Sequence, residues 1–177
     1  MAKFVFGMMQ SLDGYVDHLA LPPPGPGLHG HFNDHVRGLA GVLYGRGMYE
    51  VMRYWDEDQT DWGAVELDFA AVWRALPKWV VSRTLNSVGP NATLVSDDVE
   101  AFVRRLKDDV EGEIDVAGPG LAASLTDFGL IDEYRLYFRP VVLGEGKPFF
   151  ARARPFLRLT DSETLAEDTV KLTYAPA

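Results

Sequence analysis

The amino-acid sequence predicts a mixed α/β fold built on one central sheet. Strand-like and helix-like segments alternate in the first part of the chain, which is typical of parallel strands joined by crossover helices. After residue 130, strand-like segments follow one another without helices, which favours antiparallel pairing there. The 177 residues are enough for one domain with a sizeable core, so we expect a single domain over 1–177.

Each predicted element has a local signal. Residues 3–9 are apolar and β-prone, whereas the run PPPGPG at 22–27 cannot form a regular element and predicts a long loop over 10–31. The later elements are, in order, a helix at 31–38, a strand at 42–44, a helix at 48–52, a loop at 53–64, a helix at 65–76, strands at 78–82 and 92–96, a helix at 99–110, a strand at 114–117, a helix at 119–127, a long strand at 133–143 and strands near 156–163 and 169–175.

The helix at 99–110 has the clearest pattern. Its apolar residues recur at helical spacing and form one stripe: Val99, Phe102, Val103, Leu106 and Val110. Asp97, with Glu100 three residues later, has the form of an N-terminal capping pair. We therefore expect this helix to begin just after Asp97 and to bury one face.

Composition and charge narrow the classes of function. The net charge of −9 argues against nucleic acid as a partner, because phosphate repels an acidic chain. No apolar run approaches the roughly 20 residues of a membrane helix, and the first residues lack the pattern of a signal peptide. The absence of Cys excludes disulfides and thiolate metal sites. We expect a cytoplasmic protein that binds a small molecule.

Three turns with phosphate-binding character follow three predicted strands. Residues 118–120 (Gly-Pro-Gly) and 45–47 (Gly-Arg-Gly) each lie between a strand and a helix, where backbone N–H groups bind phosphate. Residues 82–84 (Ser-Arg-Thr) offer two hydroxyls around a guanidinium, which suits a dianionic phosphate. Each motif alone is explained at least as well by an ordinary turn. Because ligands of such sheets bind at the carboxyl ends of the strands, the three together favour an extended polyphosphate ligand.

Several longer motifs occur in the order expected of one family. They are SLDGYV at 11–16, YGRGMYE at 44–50, WVVSRTL at 79–85, VAGPGLAASL at 116–125, GLIDEYRLYFRPVVLGEG at 129–146 and FF at 149–150. They resemble the dihydrofolate-reductase-like proteins, and most closely the reductase domain of the bifunctional riboflavin-biosynthesis deaminase-reductase. The resemblance implies a three-layer fold with a mixed, mostly parallel sheet, antiparallel C-terminal strands and flanking helices. The zinc signature of the deaminase half is missing, since the chain has no Cys.

The same resemblance implies NADPH as the cofactor. Carried over by motif, the contacts to its phosphates fall on ten residues: Gly45, Arg46, Gly47, Ser82, Arg83, Thr84, Gly118, Pro119, Gly120 and Leu121. Among them, Ser82, Arg83 and Thr84 would hold the 2′-phosphate. Dihydrofolate reductases have a cis Gly-Gly bond where this chain has Gly118-Pro119. Because proline lowers the cost of the cis form, we expect a cis peptide bond between these two residues.

Two acidic residues are candidates for the substrate side of the site. The resemblance places Asp13 near the nicotinamide, and the alternative is a structural carboxylate in a turn. Asp34 lies roughly where dihydrofolate reductases carry a proton-relaying acid, although its spacing to the Gly-Arg motif is shorter. Trp55 and Trp62 are candidates for an aromatic wall or, alternatively, for anchors at the edge of the core. The run HGHFNDH at 29–35 is explained by solvated histidines, so we expect no metal site.

Together with the resemblance, the sequence predicts an NADPH-dependent reductase that transfers hydride to a small heterocycle resembling a pterin or a pyrimidine. Two alternatives stay open. One is the 5-amino-6-(5-phosphoribosylamino)uracil reductase of riboflavin biosynthesis, and the other is an NADP-binding module without turnover. The resemblance also implies a homodimer, with the apolar strand at 134–143 as a candidate interface.

Overall fold

Strands and helices alternate over most of the chain from Ala2 to Asp127, although the strands Lys78–Val81 and Ala92–Val95 follow each other with no helix between them, and only strands follow in the rest of the chain. The computed structural model describes all residues, 1–177. The elements are β1 (Ala2–Gln10), α1 (Pro26–Arg37), β2 (Gly41–Gly45), α2 (Arg46–Met52), a 3₁₀ turn (Arg53–Asp56), α3 (Ala64–Ala75), β3 (Lys78–Val81), β4 (Ala92–Val95), α4 (Val99–Asp109), β5 (Gly112–Ala117), α5 (Pro119–Asp127), β6 (Glu133–Phe138), β7 (Leu157–Thr164) and β8 (Val170–Pro176).

The eight strands form one sheet in the order β4-β3-β2-β5-β1-β6-β8-β7. The strands from β4 to β6 in this order pair in parallel, and β8 and β7 continue the sheet in antiparallel orientation. The mixed sheet expected from the sequence is therefore confirmed. The parallel half places the carboxyl ends of β3, β2, β5, β1 and β6 along one edge, where α/β sheets bind their ligands.

Helices cover both faces of the sheet. Successive residues of β2 show this, because Leu43 packs in the cluster that includes α4 and α5, whereas Val42 and Tyr44 pack with α1 and α3. Within the second cluster the buried Trp73 Nε1 donates to the Tyr44 hydroxyl at 2.8 Å, so each polar group satisfies the other. None of the helices has the length and apolarity that crossing a membrane requires.

Helix α1 begins at Pro26, earlier than the start at 31 that the sequence predicted. Proline at the first helical position lacks only an N–H that would have no partner inside the helix. The flanking glycines are explained by a distant contact, because a Cβ at Gly27 would lie 2.7 Å from the Cβ of Ala166 in the turn between β7 and β8. The end of the PPPGPG run is therefore helical and is packed against the C-terminal hairpin.

Strand β6 ends at Phe138 and not at 143. Pro140 cannot donate to a ladder, so it ends the pairing. The chain beyond it turns to the loop after β1, where the Leu12 N–H donates to the Val141 carbonyl oxygen at 2.8 Å. Both edges of β6 are already paired, with β1 and with β8, so the predicted interface at 134–143 has no open strand edge.

The N-terminal cap of α4 also differs by one residue from the prediction. Asp98, and not Asp97, is the capping residue, and its Oδ1 accepts the Ala101 N–H at 3.4 Å. Two adjacent aspartates made the position ambiguous from sequence alone. The helix itself lies where the apolar stripe predicted it.

Candidate functional site

A cleft of about 400 Å³ opens at the carboxyl edge of the sheet. The sequence-predicted turns at 45–47 and 118–121 both line it. The third turn adjoins them, because Arg46 Nη1 donates to the Thr84 Oγ1 at 2.7 Å. The structure therefore brings together the ends of three neighbouring strands, β3, β2 and β5, as the sequence predicted.

The turn between β5 and α5 depends on Gly118. Its φ is +115°, a backbone conformation that residues with a Cβ rarely adopt. Pro119 is the first residue of α5, and the peptide bond before it is trans, since the chain has no cis peptide bond. The predicted cis bond is therefore wrong. The glycine makes the sharp turn through its positive φ, and the proline, whose φ suits a helix start, begins the helix.

Two glycines leave room beside these turns. A Cβ at Gly47 or at Gly120 would meet nothing within 4 Å, whereas one at Gly45 would lie 3.4 Å from the Cβ of Leu121. Gly45 therefore allows the start of α5 to pack against the end of β2. The N–H groups of Gly120 and Leu121 lie in the first turn of α5 and have no acceptor within the helix. The start of α5 therefore has open space next to backbone N–H groups that have no acceptor within the helix.

The side chains of the turn after β3 have different roles, because Ser82 stabilises the turn and Arg83 is exposed to solvent. Ser82 is 7% exposed, and its Oγ accepts the N–H groups of Thr84 at 3.2 Å and Leu85 at 3.1 Å. Arg83 is exposed and makes no hydrogen bond or ion pair with the rest of the chain. The Arg46 guanidinium is half-exposed and is held between Thr84 and Glu50, whose Oε1 accepts from Nε at 3.0 Å. The Ser82 hydroxyl is thus committed to the turn, and the Arg83 guanidinium is available to a ligand.

Asp13 does not line the cleft. Its carboxylate accepts the N–H groups of Leu143 at 3.1 Å and Gly144 at 2.7 Å, so it ties the loop after β1 to the loop after β6. The nearby Ser11 hydroxyl and these two amides lower the pKa of Asp13 to about 2, although partial desolvation opposes them. This geometry favours the structural alternative, and a role beside the substrate stays a prediction.

Asp34 also lies outside the cleft. It projects from α1 into solvent and forms an ion pair with Arg37, Nη1 to Oδ1 at 2.8 Å. Arg37 also contacts Asp68 on α3, at 2.8 Å. A proton relay through Asp34 stays a prediction that this position does not favour.

Trp55 and Trp62 pack against each other with ring centroids 4.9 Å apart. Trp55 also lies 4.7 Å from the Phe69 ring and 5.9 Å from the His29 ring. Neither tryptophan lines the cleft. They anchor the 3₁₀ turn to α3, which was the alternative to a substrate wall.

Sequence reasoning missed a charged network between α1 and the sheet, and the expectation of a solvated histidine is wrong for His35, whose side chain is only 17% exposed. His35 Nε2 lies 2.8 Å from Asp115 Oδ2, and Arg135 donates to both carboxylate oxygens of Glu113, at 2.6 and 2.8 Å. Burial lowers the pKa of His35, but the hydrogen bond and the charge of Asp115 outweigh it and raise the pKa overall. The His35, Glu113 and Asp115 ligand atoms lie within 4.8 Å of one another, yet Arg135 already neutralises Glu113. The alternation of Glu113 and Asp115 along β5 was the only signal in the sequence.

The second wall of the cleft was also missed. It is formed by residues 16–19, which follow β1, and by Lys147, which follows β6. The two segments are joined by backbone pairing, because the Val16 N–H donates to the Lys147 carbonyl oxygen at 2.9 Å. The wall brings a histidine and a lysine, His18 and Lys147, to the cleft opposite the turns described above. Nothing in the local sequence relates these two segments.

Relatives of known sequence place this geometry in a family. Residues 2–171 match the family model of the RibD C-terminal domain. The uncharacterized protein YyaP of Bacillus subtilis (strain 168) is 28% identical over 171 residues, which cover 95% of this chain and 88% of YyaP.

Solved structures share the fold. A protein of Shewanella sp. PV-4, named provisionally for riboflavin biosynthesis, matches 100% of this chain and 99% of its own with a TM-score of 0.75 and 22% identity. The Thermotoga maritima diaminohydroxyphosphoribosylaminopyrimidine deaminase/5-amino-6-(5-phosphoribosylamino)uracil reductase matches with a TM-score of 0.68 and 15% identity, over 99% of this chain and 57% of the larger protein. Because the family model covers nearly the whole chain, the protein belongs to the RibD C-terminal domain family.

Proposed function

We propose that this protein is a cytoplasmic NADPH-dependent reductase that transfers hydride to a small planar heterocycle. One observation carries the proposal: three turns suited to phosphate meet at the ends of the adjacent parallel strands β3, β2 and β5. Membership of the RibD C-terminal domain family supports a reductase related to those of riboflavin biosynthesis.

The residues present fit the phosphates of NADPH. Arg83 offers an uncommitted guanidinium for the 2′-phosphate, and Thr84 and Arg46 lie beside it. The open space at Gly47 and Gly120, next to the first amides of α5, suits the pyrophosphate. NADPH supplies the hydride when it is bound. The chain contributes the binding energy and the orientation of the nicotinamide.

The far part of the cleft suits the nicotinamide and the substrate ring. Met8, Val16 and the exposed Leu19 give it apolar surface against which a planar ring can pack. Asp13 and Asp34 stay predictions for the acid, and neither lines the cleft. We therefore propose that the proton reaches the substrate through water.

The test is a titration of the wild type and Arg83→Ala with NADPH and NADH, followed by a screen of pterin, pyrimidine and quinoid acceptors. Loss of a charged contact to the 2′-phosphate is expected to weaken NADPH binding about tenfold or more and to leave NADH binding unchanged. Arg105→Ala is the matched control, because Arg105 is an exposed, unpaired arginine on α4 outside the cleft. Equal losses of affinity for NADPH and NADH would show that a residue other than Arg83 contacts the 2′-phosphate.

A second candidate is the 5-amino-6-(5-phosphoribosylamino)uracil reductase of riboflavin biosynthesis. The Thermotoga protein named for this activity has the same fold, which supports the candidate. Oxidation of NADPH by that pyrimidine, and by no other heterocycle, would establish it. A third candidate is an NADP-binding module without turnover. Tight binding of NADPH, with no acceptor that oxidises it, would support this candidate.

We also propose that two copies of the chain pair through the C-terminal hairpin. Strand β7 is an edge of the sheet, with one row of backbone groups unpaired. Apolar side chains accompany this edge, since Phe156 is 89% exposed and Leu159 is 51% exposed. Light scattering after size exclusion is expected to give a dimer for the wild type and a monomer for Phe156→Asp. A monomeric wild type at micromolar concentration would contradict the pairing.

A further inference from the structure

Lys147 is the one lysine of the chain without a partner. Lys3, Lys107 and Lys171 each form an ion pair with a carboxylate, and the buried Lys78 donates to the Leu76 carbonyl oxygen at 2.9 Å. Lys147 is exposed, lines the cleft, and its ammonium makes no ion pair or hydrogen bond with the chain. Lys147 is therefore a cation at the cleft that no carboxylate of this acidic chain pairs with.

The backbone around Lys147 is held in place by Asp17. The Asp17 Oδ2 accepts the Lys147 N–H at 2.5 Å. Gly146 has a φ of +144°, and a Cβ there would lie 2.2 Å from the same carboxylate oxygen. The carboxylate is therefore packed onto the backbone of this turn and bonded to its amide. The Lys147 ammonium is left without an acceptor while its attachment point is fixed.

His18 adds a second nitrogen donor to this wall. It follows Asp17 directly, lines the same cleft and makes no hydrogen bond with the chain. Apart from Asp17, whose carboxylate is engaged with backbone, this wall has no acidic group. The Lys147 ammonium and the His18 ring are therefore the polar groups of this wall that no group of the chain engages, and both can donate hydrogen bonds to an anion.

The strand order separates this wall from the phosphate turns. The ends of β3, β2 and β5 carry those turns, whereas residues 16–19 follow β1 and Lys147 follows β6. Strands in a sheet are about 4.8 Å apart, so the exit of β6 lies about 10 Å beyond that of β5. If a dinucleotide bound with its phosphates at the first three exits, its nicotinamide would extend along the same edge toward the exits of β1 and β6, where this second wall lies.

We propose that Lys147, assisted by His18, binds an acidic substituent of the substrate and so determines which heterocycles are accepted. This inference rests on the proposed reductase function, because it takes the second wall as the substrate side. A phosphate and a carboxylate share the chemistry that an ammonium recognises. The substrate class is therefore a planar heterocycle with one such group attached.

The test compares matched ligands on the protein saturated with NADPH. Calorimetric titration with uridine 5′-monophosphate against uridine reports on phosphate, and titration with orotate against uracil reports on carboxylate. For the wild type, the acidic member of at least one pair is expected to bind about tenfold more tightly than the neutral member. In Lys147→Gln that preference is expected to fall below about threefold, because only His18 remains.

Arg105→Gln is the matched control, because it removes the same charge from α4 and is expected to keep the preference. The pair that shows the preference identifies the acidic group. A preference unchanged in Lys147→Gln, or absent from both pairs in the wild type, would overturn the inference. An increase of the NADPH dissociation constant in Lys147→Gln would also overturn it, since the lysine would then belong to the cofactor site. Failure of the wild type to bind NADPH would instead contradict the proposed function.

Discussion

The carboxylate of Glu167 accepts a hydrogen bond from the backbone N–H of Gly25 at 2.7 Å, across 142 residues of sequence. Its other oxygen accepts the Leu28 N–H at 3.1 Å, so one side chain from the turn after β7 caps helix α1. No side chain near Gly25 does this locally. Glu167 has a φ of +59°, a conformation that costs a residue with a Cβ about 1–2 kcal/mol. The contact explains why a glutamate occupies such a turn.

We expect Glu167→Ala to destabilise the protein, because the first turn of α1 loses its only cap. The loss of a cap of this kind lowers Tm by roughly 2–4 °C in a chain of this size. Asp168→Ala is the matched control, since Asp168 has a φ of +53° in the same turn and its side chain makes no hydrogen bond. Thermal unfolding followed by circular dichroism measures both. Similar changes for the two variants would show that the turn, and not the cap, is responsible.

Acid is expected to weaken the contact between the loops after β1 and β6. The folded pKa of Asp13 is about 2, below its ordinary value of 3.8, so the ionised form stabilises the fold above pH 4. That contribution falls away as the pH drops from about 4 to 2. Urea unfolding across this range is expected to show a smaller loss of stability for Asp13→Asn than for the wild type. Asp161→Asn, at an exposed site on β7, is expected to follow the wild type.

The phosphate turns were predictable because their signals are local. Glycine at 45, 47, 118 and 120 marks two of the turns, the run Ser-Arg-Thr at 82–84 marks the third, and the strands before them are short apolar runs. Parallel pairing of those strands then requires their ends to share one edge. The positions of three separate turns thus followed from patterns of a few residues each.

Contacts between distant segments were not predictable in this way. The start of α1 depends on Glu167, and the role of Asp13 depends on the amides of Leu143 and Gly144. The cis bond was predicted from the resemblance, but the positive φ of Gly118 makes the turn with a trans peptide. In the first two cases the local structure depends on a residue more than a hundred positions away. In the third case it depends on a backbone conformation that glycine can adopt but that the sequence does not reveal.

Stability is expected to fall as the pH rises above about 6.5, because His35 is protonated more readily in the folded state. Its hydrogen bond with Asp115 raises its pKa against the effect of burial. A group with a raised folded pKa stabilises fully below its unfolded value, and the contribution is lost as the pH rises through the folded value. Urea unfolding between pH 5.5 and 8.5 is expected to show this decline in the wild type and not in His35→Gln. The exposed His18→Gln should retain the decline, and a flat wild-type profile would contradict the expectation.

The two glycines that flank Pro119 are expected to respond differently to alanine. Gly118→Ala places a Cβ on a residue with a φ of +115° and a ψ of 126°, which lies outside even the left-handed helical region, so we expect a loss of about 1–3 kcal/mol in the free energy of unfolding. Gly120→Ala lies within α5, where a Cβ meets nothing within 4 Å, so the fold is expected to keep its stability. If the pyrophosphate of NADPH uses that open space, Gly120→Ala weakens NADPH binding while Tm is unchanged. Unchanged NADPH affinity in Gly120→Ala would place the pyrophosphate away from the start of α5.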